Sequence, residues 1–211
     1  MFVCEGEDLV AAALDAGLEP VDVLVDAERP VLEDRVTRRE AVASELMGEL
    51  SSLAHPARVI GIFRRADLRG GADAPVGLAL WHVGDPGNVG TIVRTADALG
   101  PAFVAFSPGC ADPTGPKALR ASMGSLFRVP LARFDDAPRP WVGLVPRDAR
   151  PLSELELGER TTFVLGAERE GLTSEVADQC DELASIPLAD GAESLNVAAA
   201  AAIALYEVRR R

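Results

Sequence analysis

Three glycine-bearing loops hold the residues whose types could do chemistry. Gly84 to Gly90 (GDPGNVG) carries Asn88 at a helix start, with Arg94 a little further on. Gly166 to Gly171 (GAEREG) offers the carboxylate of Glu168, and Ala189 to Ser194 (ADGAES) opens toward Asn196. Glycines and a proline let the backbone come close to a ligand, and a nucleotide-like ligand is the first one to test. GDPGNVG spaces its glycines as GxxGxxG, not as the GxGxxG of dinucleotide folds. The following strand ends in Ser107, where an acidic residue would meet a ribose. The one lysine, Lys117, stands in GPKAL and not in the GK[ST] of a P-loop, and neither GxSxG nor HExxH occurs. Nicotinamide redox chemistry, nucleoside triphosphate hydrolysis and those two hydrolase types are therefore disfavoured. His55 and His82 are isolated and read as structural. Cys4, Cys110 and Cys180 are odd in number and far apart, which argues against a disulfide framework and against zinc, so no metal is expected.

The elements that must position these loops follow from periodicity. LVAAALDAGLEP puts Leu9, Val10, Ala13 and Leu14 on one helical face, VDVLVD alternates as a strand, TRREAVASELMGELSS reads as a second helix and ARVIGIFRR as another strand. ADLRGGADAP has no apolar periodicity and reads as a linker. The expected division is residues 1–65 as a small α/β unit, 66–75 as the linker and 76–211 as a second α/β unit. In the latter, VGLALWHV is the near-continuous apolar run that parallel sheets bury on both faces. TIVRTADALG, KALRASMG and REGLTSEVADQC alternate as helices with the strands FVAFSP, FRVPL, WVGLVP, TFVLGA and LASIPL. This alternation predicts a parallel sheet with helices on both faces and ligands at the carboxyl ends of its strands. The last helix, from SLNVAAAAAIALYEVRRR, has Ser194 as its expected cap. Its apolar residues run nearly all the way round from Val197 to Tyr206, so it is buried by the core or by another subunit.

NVGTIVRTADALG, LGAEREGL and IPLADGAESLNVAAAAAIALYE, in that order, resemble the signature motifs of the SpoU (TrmH-like) branch of the SPOUT RNA methyltransferases. ADPTGPKALRASMGSLFRVPL is also similar to that family. FVCEGEDLVAAALDAGLEPVDVLV resembles its small ribosomal-protein-like substrate-binding domain, so the likeness covers nearly the whole chain. The resemblance implies a trefoil-knotted SPOUT domain and a homodimer with the active site at the subunit interface. It also implies an S-adenosyl-L-methionine-dependent transfer of a methyl group to a ribose 2′-hydroxyl of tRNA or rRNA. Residue by residue, it makes Arg94 the catalytic arginine, with Asn88, Glu168, Ser194 and Asn196 around it. Leu165, Gly166, Ile186, Leu188 and Leu195 become the cofactor contacts, and Arg94, Lys117 and Arg120 the contacts to RNA. A guanidinium stays protonated, so Arg94 is expected to stabilise charge and position phosphate, not to act as a base.

Composition sets the limits of this reading. The chain has 211 residues, 48% hydrophobic and 26% charged, which is ordinary globular composition. No apolar run approaches the ~18 residues of a membrane span, and MFVCEGEDLV has no basic leader region, so a cytoplasmic protein is expected. The net charge of -12 has the wrong sign for gripping RNA by bulk electrostatics. Residues 61–140, with 7 acidic and 9 basic side chains, are nonetheless mildly positive. Arg94, Lys117, Arg120, Arg128 and Arg133 could supply a local positive surface there. The alternatives are a non-catalytic RNA-binding relative of the same fold and a Rossmann-type binder or dehydrogenase. The joint presence of Asn88, Arg94, Glu168 and Asn196 favours the enzyme over the first, and the missing fingerprint disfavours the second.

Overall fold

The computed structural model describes residues 1–32, 34–36 and 38–211. The chain first builds a four-stranded sheet from β1 (Phe2–Glu5), β2 (Asp22–Asp26), β3 (Glu40–Val42) and β4 (Val59–Phe63), with α1 (Glu7–Asp15) after β1 and α2 (Ser44–Leu50) after β3. The order is β1-β4-β2-β3; β4 runs antiparallel to both neighbours, and β3 is parallel to β2. The expected helix over residues 37–52 is therefore shorter. Its first residue, Thr37, lies outside the described residues, and residues 40–42 join the sheet edge beside Leu24–Asp26. The helix start is pinned by Asp26, fully buried, whose Oδ1 accepts from the Ser44 hydroxyl at 2.6 Å and from the N–H groups of Glu28 and Arg29.

After residues 66–75 the chain builds a seven-stranded sheet. It runs through β5 (Val76–Leu80), α3 (Pro86–Leu99), β6 (Ala102–Phe106), α4 (Pro116–Ser122), β7 (Leu131–Arg133), β8 (Trp141–Val145), β9 (Arg150–Pro151), β10 (Thr161–Leu165), α5 (Ser174–Ala177), β11 (Glu182–Ser185) and α6 (Val197–Arg209). The order is β7-β6-β5-β10-β8-β11-β9 and every pair is parallel. All five residues of β5 and of β10 are buried, as strands covered on both faces require. Val89, Ile92 and Val93 of α3, Leu119 of α4 and Ala201 and Leu205 of α6 pack on one face with Leu78 and Phe163. Ala79, Phe103, Val164 and, from α5, Val176 pack on the other. Two expected elements shrink. FRVPL is not a strand as a whole: Ser125–Phe127 form a 3₁₀ turn and β7 begins at Leu131, after Pro130, which has no N–H to donate. The helix expected over 169–180 is confined to Ser174–Ala177, because residues 167–171 close a tight turn.

One apolar cluster runs through both sheets. Phe2 of β1 stacks on Phe63 at 5.7 Å and on Phe127 at 6.1 Å. Burying a phenylalanine side chain contributes about 1.5–3 kcal/mol, and Phe63 and Phe127 are both fully buried. Gly124, with φ 82, lets this contact close, since a Cβ there would stand 2.6 Å from the Ala12 Cβ of α1. Arg65 and Asp112 form a two-pronged ion pair between the units.

Candidate active site

The carboxyl ends of β5 and β10 lie at the same level, Leu80 opposite Leu165. Beyond Leu80 the chain turns through Gly84 into α3. Asp85 caps that helix, its Oδ1 accepting from the N–H of Asn88 at 2.9 Å, and Pro86 fills the first turn, where a missing N–H costs nothing. Beyond Leu165 the chain folds back on itself, with Ala167 and Gly171 exchanging backbone hydrogen bonds of 3.1 and 2.9 Å. Only glycine fits at 166, since a Cβ there would stand 2.0 Å from the Gly171 carbonyl carbon.

This turn presents Glu168 to the start of α3. Its carboxylate accepts from Asn88 Nδ2 at 3.0 Å, from the Asp85 N–H at 3.1 Å and from the Gly84 N–H at 3.3 Å. Partial burial raises the Glu168 pKa, but the donation from Asn88 and the backbone outweighs it and leaves the pKa below the ordinary 4.5. Asn88 Oδ1 in turn accepts from Asn196 Nδ2 at 3.0 Å. Asn196 Oδ1 caps α6 through the N–H groups of Ala198 and Ala199 at 2.9 and 3.3 Å. One chain of hydrogen bonds thus joins all three glycine-bearing loops. It also fixes the direction of α6: Asn196 meets the first turn of α3 and Arg209 reaches the carbonyl of Gly100 at its end, so the two helices run parallel.

Ser194 is not the cap. It is exposed and makes no hydrogen bond among the described residues, because Asn196, two residues closer to the helix, already holds the free N–H groups. Arg94 is not joined to the network. It lies about 9 Å along α3 from Asn88 and a third of a turn round, on an exposed stripe with Thr91 and Ala98, without a partner among the described residues. Lys117 is held by Asp85 at 2.8 Å, and this contact, with the Asn88 N–H, keeps the Asp85 pKa below its ordinary range. Arg120 is exposed and without a partner among the described residues, while Arg128 is taken up by Asp97. Asp85 is the residue that sequence reasoning passed over. Its signal is an acid directly before proline and three residues before Asn88, the spacing of a cap.

Leu165 is buried, Ile186 and Leu188 are half-buried and Leu195 is 40% exposed. The backbone N–H and C=O groups of Ile186, Leu188 and Leu195 make no hydrogen bond within the described residues. Open backbone groups beside apolar side chains are what a purine ring needs for its edge and its faces. Two surface hollows, of about 610 and 440 Å³, lie elsewhere and include no residue of the network. Among the described residues no group of three or more His, Cys, Asp or Glu is placed to hold a metal, and no helix is long and apolar enough to cross a membrane.

A doubly covered parallel sheet with its polar network at the strand ends defines an α/β protein of the class whose ligands bind across those ends. Comparison with known proteins narrows this class. The chain belongs to the SpoU rRNA Methylase family, whose model matches residues 75–206. It is 32% identical over 200 residues to an uncharacterized tRNA/rRNA methyltransferase of Synechocystis, covering 87% of this chain and 73% of that one. It is 30% identical over 219 residues to the 23S rRNA guanosine 2′-O-methyltransferase RlmP of Bacillus subtilis, covering 99% and 88%. The crystal structure of the SpoU methyltransferase AviRb from Streptomyces viridochromogenes, in complex with the cofactor AdoMet, superposes with a TM-score of 0.83 at 28% identity, over 99% of this chain and 89% of that one.

Proposed function

We propose that this protein transfers a methyl group from S-adenosylmethionine to a ribose 2′-hydroxyl of RNA, with ribosomal RNA as the substrate class. The observation that carries the reading is the network that joins Glu168, Asn88 and Asn196 across three loops. The residues fit the cofactor: Leu165, Gly166, Ile186, Leu188 and Leu195 would hold it, with backbone groups on the adenine edge and aliphatic carbons on its faces. When bound, it supplies an electrophilic methyl group on a sulfonium.

The chain's own residues then do three things. Glu168, held ionised by three donors, is a weak base and serves as an anchor that keeps Asn88 in place. Asn88 and Asn196 set the distance between the α3 and α6 starts, beside which the ribose would lie. Arg94 supplies positive charge to the phosphate and to the 2′-oxygen as its proton leaves for solvent. Ser194, free of the helix cap, has its hydroxyl available to the substrate.

Three further readings belong with this one. The protein is a homodimer joined through α6, supported by the exposure of Ile203 and Tyr206, 38% and 59%, on an otherwise apolar helix. The C-terminal segment forms the trefoil knot of the family. Residues 1–65 bind substrate RNA, with 66–75 as linker, Arg120 as a further RNA contact, and the cytoplasm as the place where the substrate is found. In the test, purified protein is given radiolabelled S-adenosylmethionine and unmodified ribosomal RNA, and 2′-O-methylation is mapped. Incorporation at one ribose supports the reading. Folded protein that binds neither S-adenosylmethionine nor its demethylated product overturns it.

A further inference from the structure

His82, read from the sequence as structural, stands at the rim of the network in an unusual posture. It follows Trp81 directly, and successive residues of a strand point to opposite faces. At His82 φ is 53, and this left-handed turn brings the two rings parallel: their centroids are 4.5 Å apart and their planes 9° from each other. Such a backbone in a residue other than glycine is uncommon, and strained positions cluster where a site needs them. The surroundings hold it in place. The His82 N–H donates to the Ser107 hydroxyl at 3.0 Å, the Trp81 N–H donates to the Leu165 carbonyl at 2.8 Å, and Phe134 packs on the Trp81 ring at 5.1 Å. His82 is exposed, while the Trp81 indole N–H is buried without a hydrogen-bond partner among the described residues. Gly109 packs close against the imidazole, where a Cβ would stand 3.3 to 3.6 Å from three of its ring atoms and crowd it.

The place of this ring pair gives it a meaning. Two residues after His82, the Gly84 and Asp85 N–H groups hold Glu168. In the other direction Leu80, Phe106 and Arg133 stand in register at the ends of β5, β6 and β7, which puts Arg133 two strand spacings, about 10 Å, from Leu80. The Arg133 side chain is 81% exposed, and its carboxylate neighbour, Asp135, is 3.9 Å away. Paired rings flanked by an exposed guanidinium, along one sheet edge that ends at the network, match the chemistry of single-stranded RNA, whose bases stack on aromatic or histidine rings and whose phosphates meet arginine.

We propose that Trp81 and His82 form a stacking platform for an unpaired nucleobase flanking the methylated nucleotide, with Arg133 meeting the backbone phosphate beyond it. The proposal rests on the RNA methyltransferase reading and adds to it where the RNA lies. The chain has two tryptophans, so Trp141→Phe leaves Trp81 as the only one. In that background, a short mixed-sequence single-stranded RNA should quench the tryptophan fluorescence as it binds. His82→Asn keeps a residue that tolerates a positive φ but removes the ring. It should weaken RNA binding about tenfold and raise the KM for ribosomal RNA. The kcat at saturating RNA and the affinity for S-adenosylhomocysteine should hold. Arg133→Ala should reduce the salt dependence of binding by about one phosphate contact. RNA that binds without changing the fluorescence, or His82→Asn protein that binds RNA within twofold of its parent, overturns the platform and leaves the enzyme reading standing. A parent protein that binds no RNA overturns both.

Discussion

Glu168 accepts three hydrogen bonds and keeps its pKa below 4.5, so it has little appetite for the proton of a ribose hydroxyl. The basic role that a carboxylate in a glycine loop invites is thereby closed, and in the proposed mechanism charge stabilisation is assigned to Arg94. Arg94→Ala should leave affinity for S-adenosylmethionine within a few-fold and lower methyl transfer by ~10²-fold or more, as when a preorganised charge is removed elsewhere. Arg94→Lys should rescue it only partly, because lysine lacks the planar fork. Calorimetry for the cofactor, thermal melting and turnover, measured on one preparation, check this. Normal turnover in a stable Arg94→Ala protein refutes it. Asn88→Ala provides the contrast: it cuts the link between Glu168 and Asn196, so it should lower the melting temperature as well as turnover.

At the scale of elements, α3 is the part on which the site depends. It starts at the Asp85 cap, carries Asn88 in its first turn and packs against α4 through Gly90. A Cβ on Gly90 would stand 2.3 Å from the Ala118 carbonyl oxygen, which is backbone and cannot swing aside. Gly90→Ala should therefore cost about 1–3 kcal/mol of stability, seen as a lower denaturant midpoint. It should also loosen the Asn88–Glu168 contact. On α6, Ile203→Arg tests the proposed dimer. The side chain is 38% exposed, so the fold should survive and light scattering should report a monomer. A stable variant that stays dimeric moves the interface off this helix. Much of this layer was legible in the sequence, because a strand such as VGLAL has no polar face and can lie only in the middle of a covered sheet. The family resemblance already suggested Glu168 as an anchor for Asn88, Arg94 or the loop, and Asn88 is the partner it takes. The Asn88–Asn196 link was not legible as a contact: it joins residues 108 positions apart, and only the fold brings them together. Ser194 misled for a local reason: serine and asparagine are comparable caps, and which one serves depends on where the loop releases the chain. At 37–52 the helical period was present, but pairing with β2 won over it.

At the scale of the whole molecule, the acidic balance is partly committed to internal ion pairs. Asp26, Asp112 and Glu207 are each held down to a pKa of about 2: Asp26 by the Ser44 hydroxyl and Arg29, Asp112 by Arg65 and Thr114, and Glu207 by Arg210 and Arg211. A carboxylate with a depressed folded-state pKa stabilises the fold above its unfolded value and loses that contribution as pH falls through the folded one. Stability should therefore be flat in this respect above pH 4.5, fall between the ordinary values of 3.8 to 4.5 and about 2, and be spent below that. Denaturant melts from pH 6 downward check the window. Asp112→Asn should shift the acid limb, and a curve unchanged by it removes the Arg65 pair from the explanation.

The stacked phenylalanines also tie together distant moments in the making of the chain. Phe2 and Phe63 are in place early in synthesis, but the ring that completes their cluster belongs to Phe127. At about 5–20 residues per second, the first sheet waits several seconds with an apolar edge uncovered. The nascent first unit must either bear that exposure or be shielded by a chaperone until the turn after Gly124 arrives to close it.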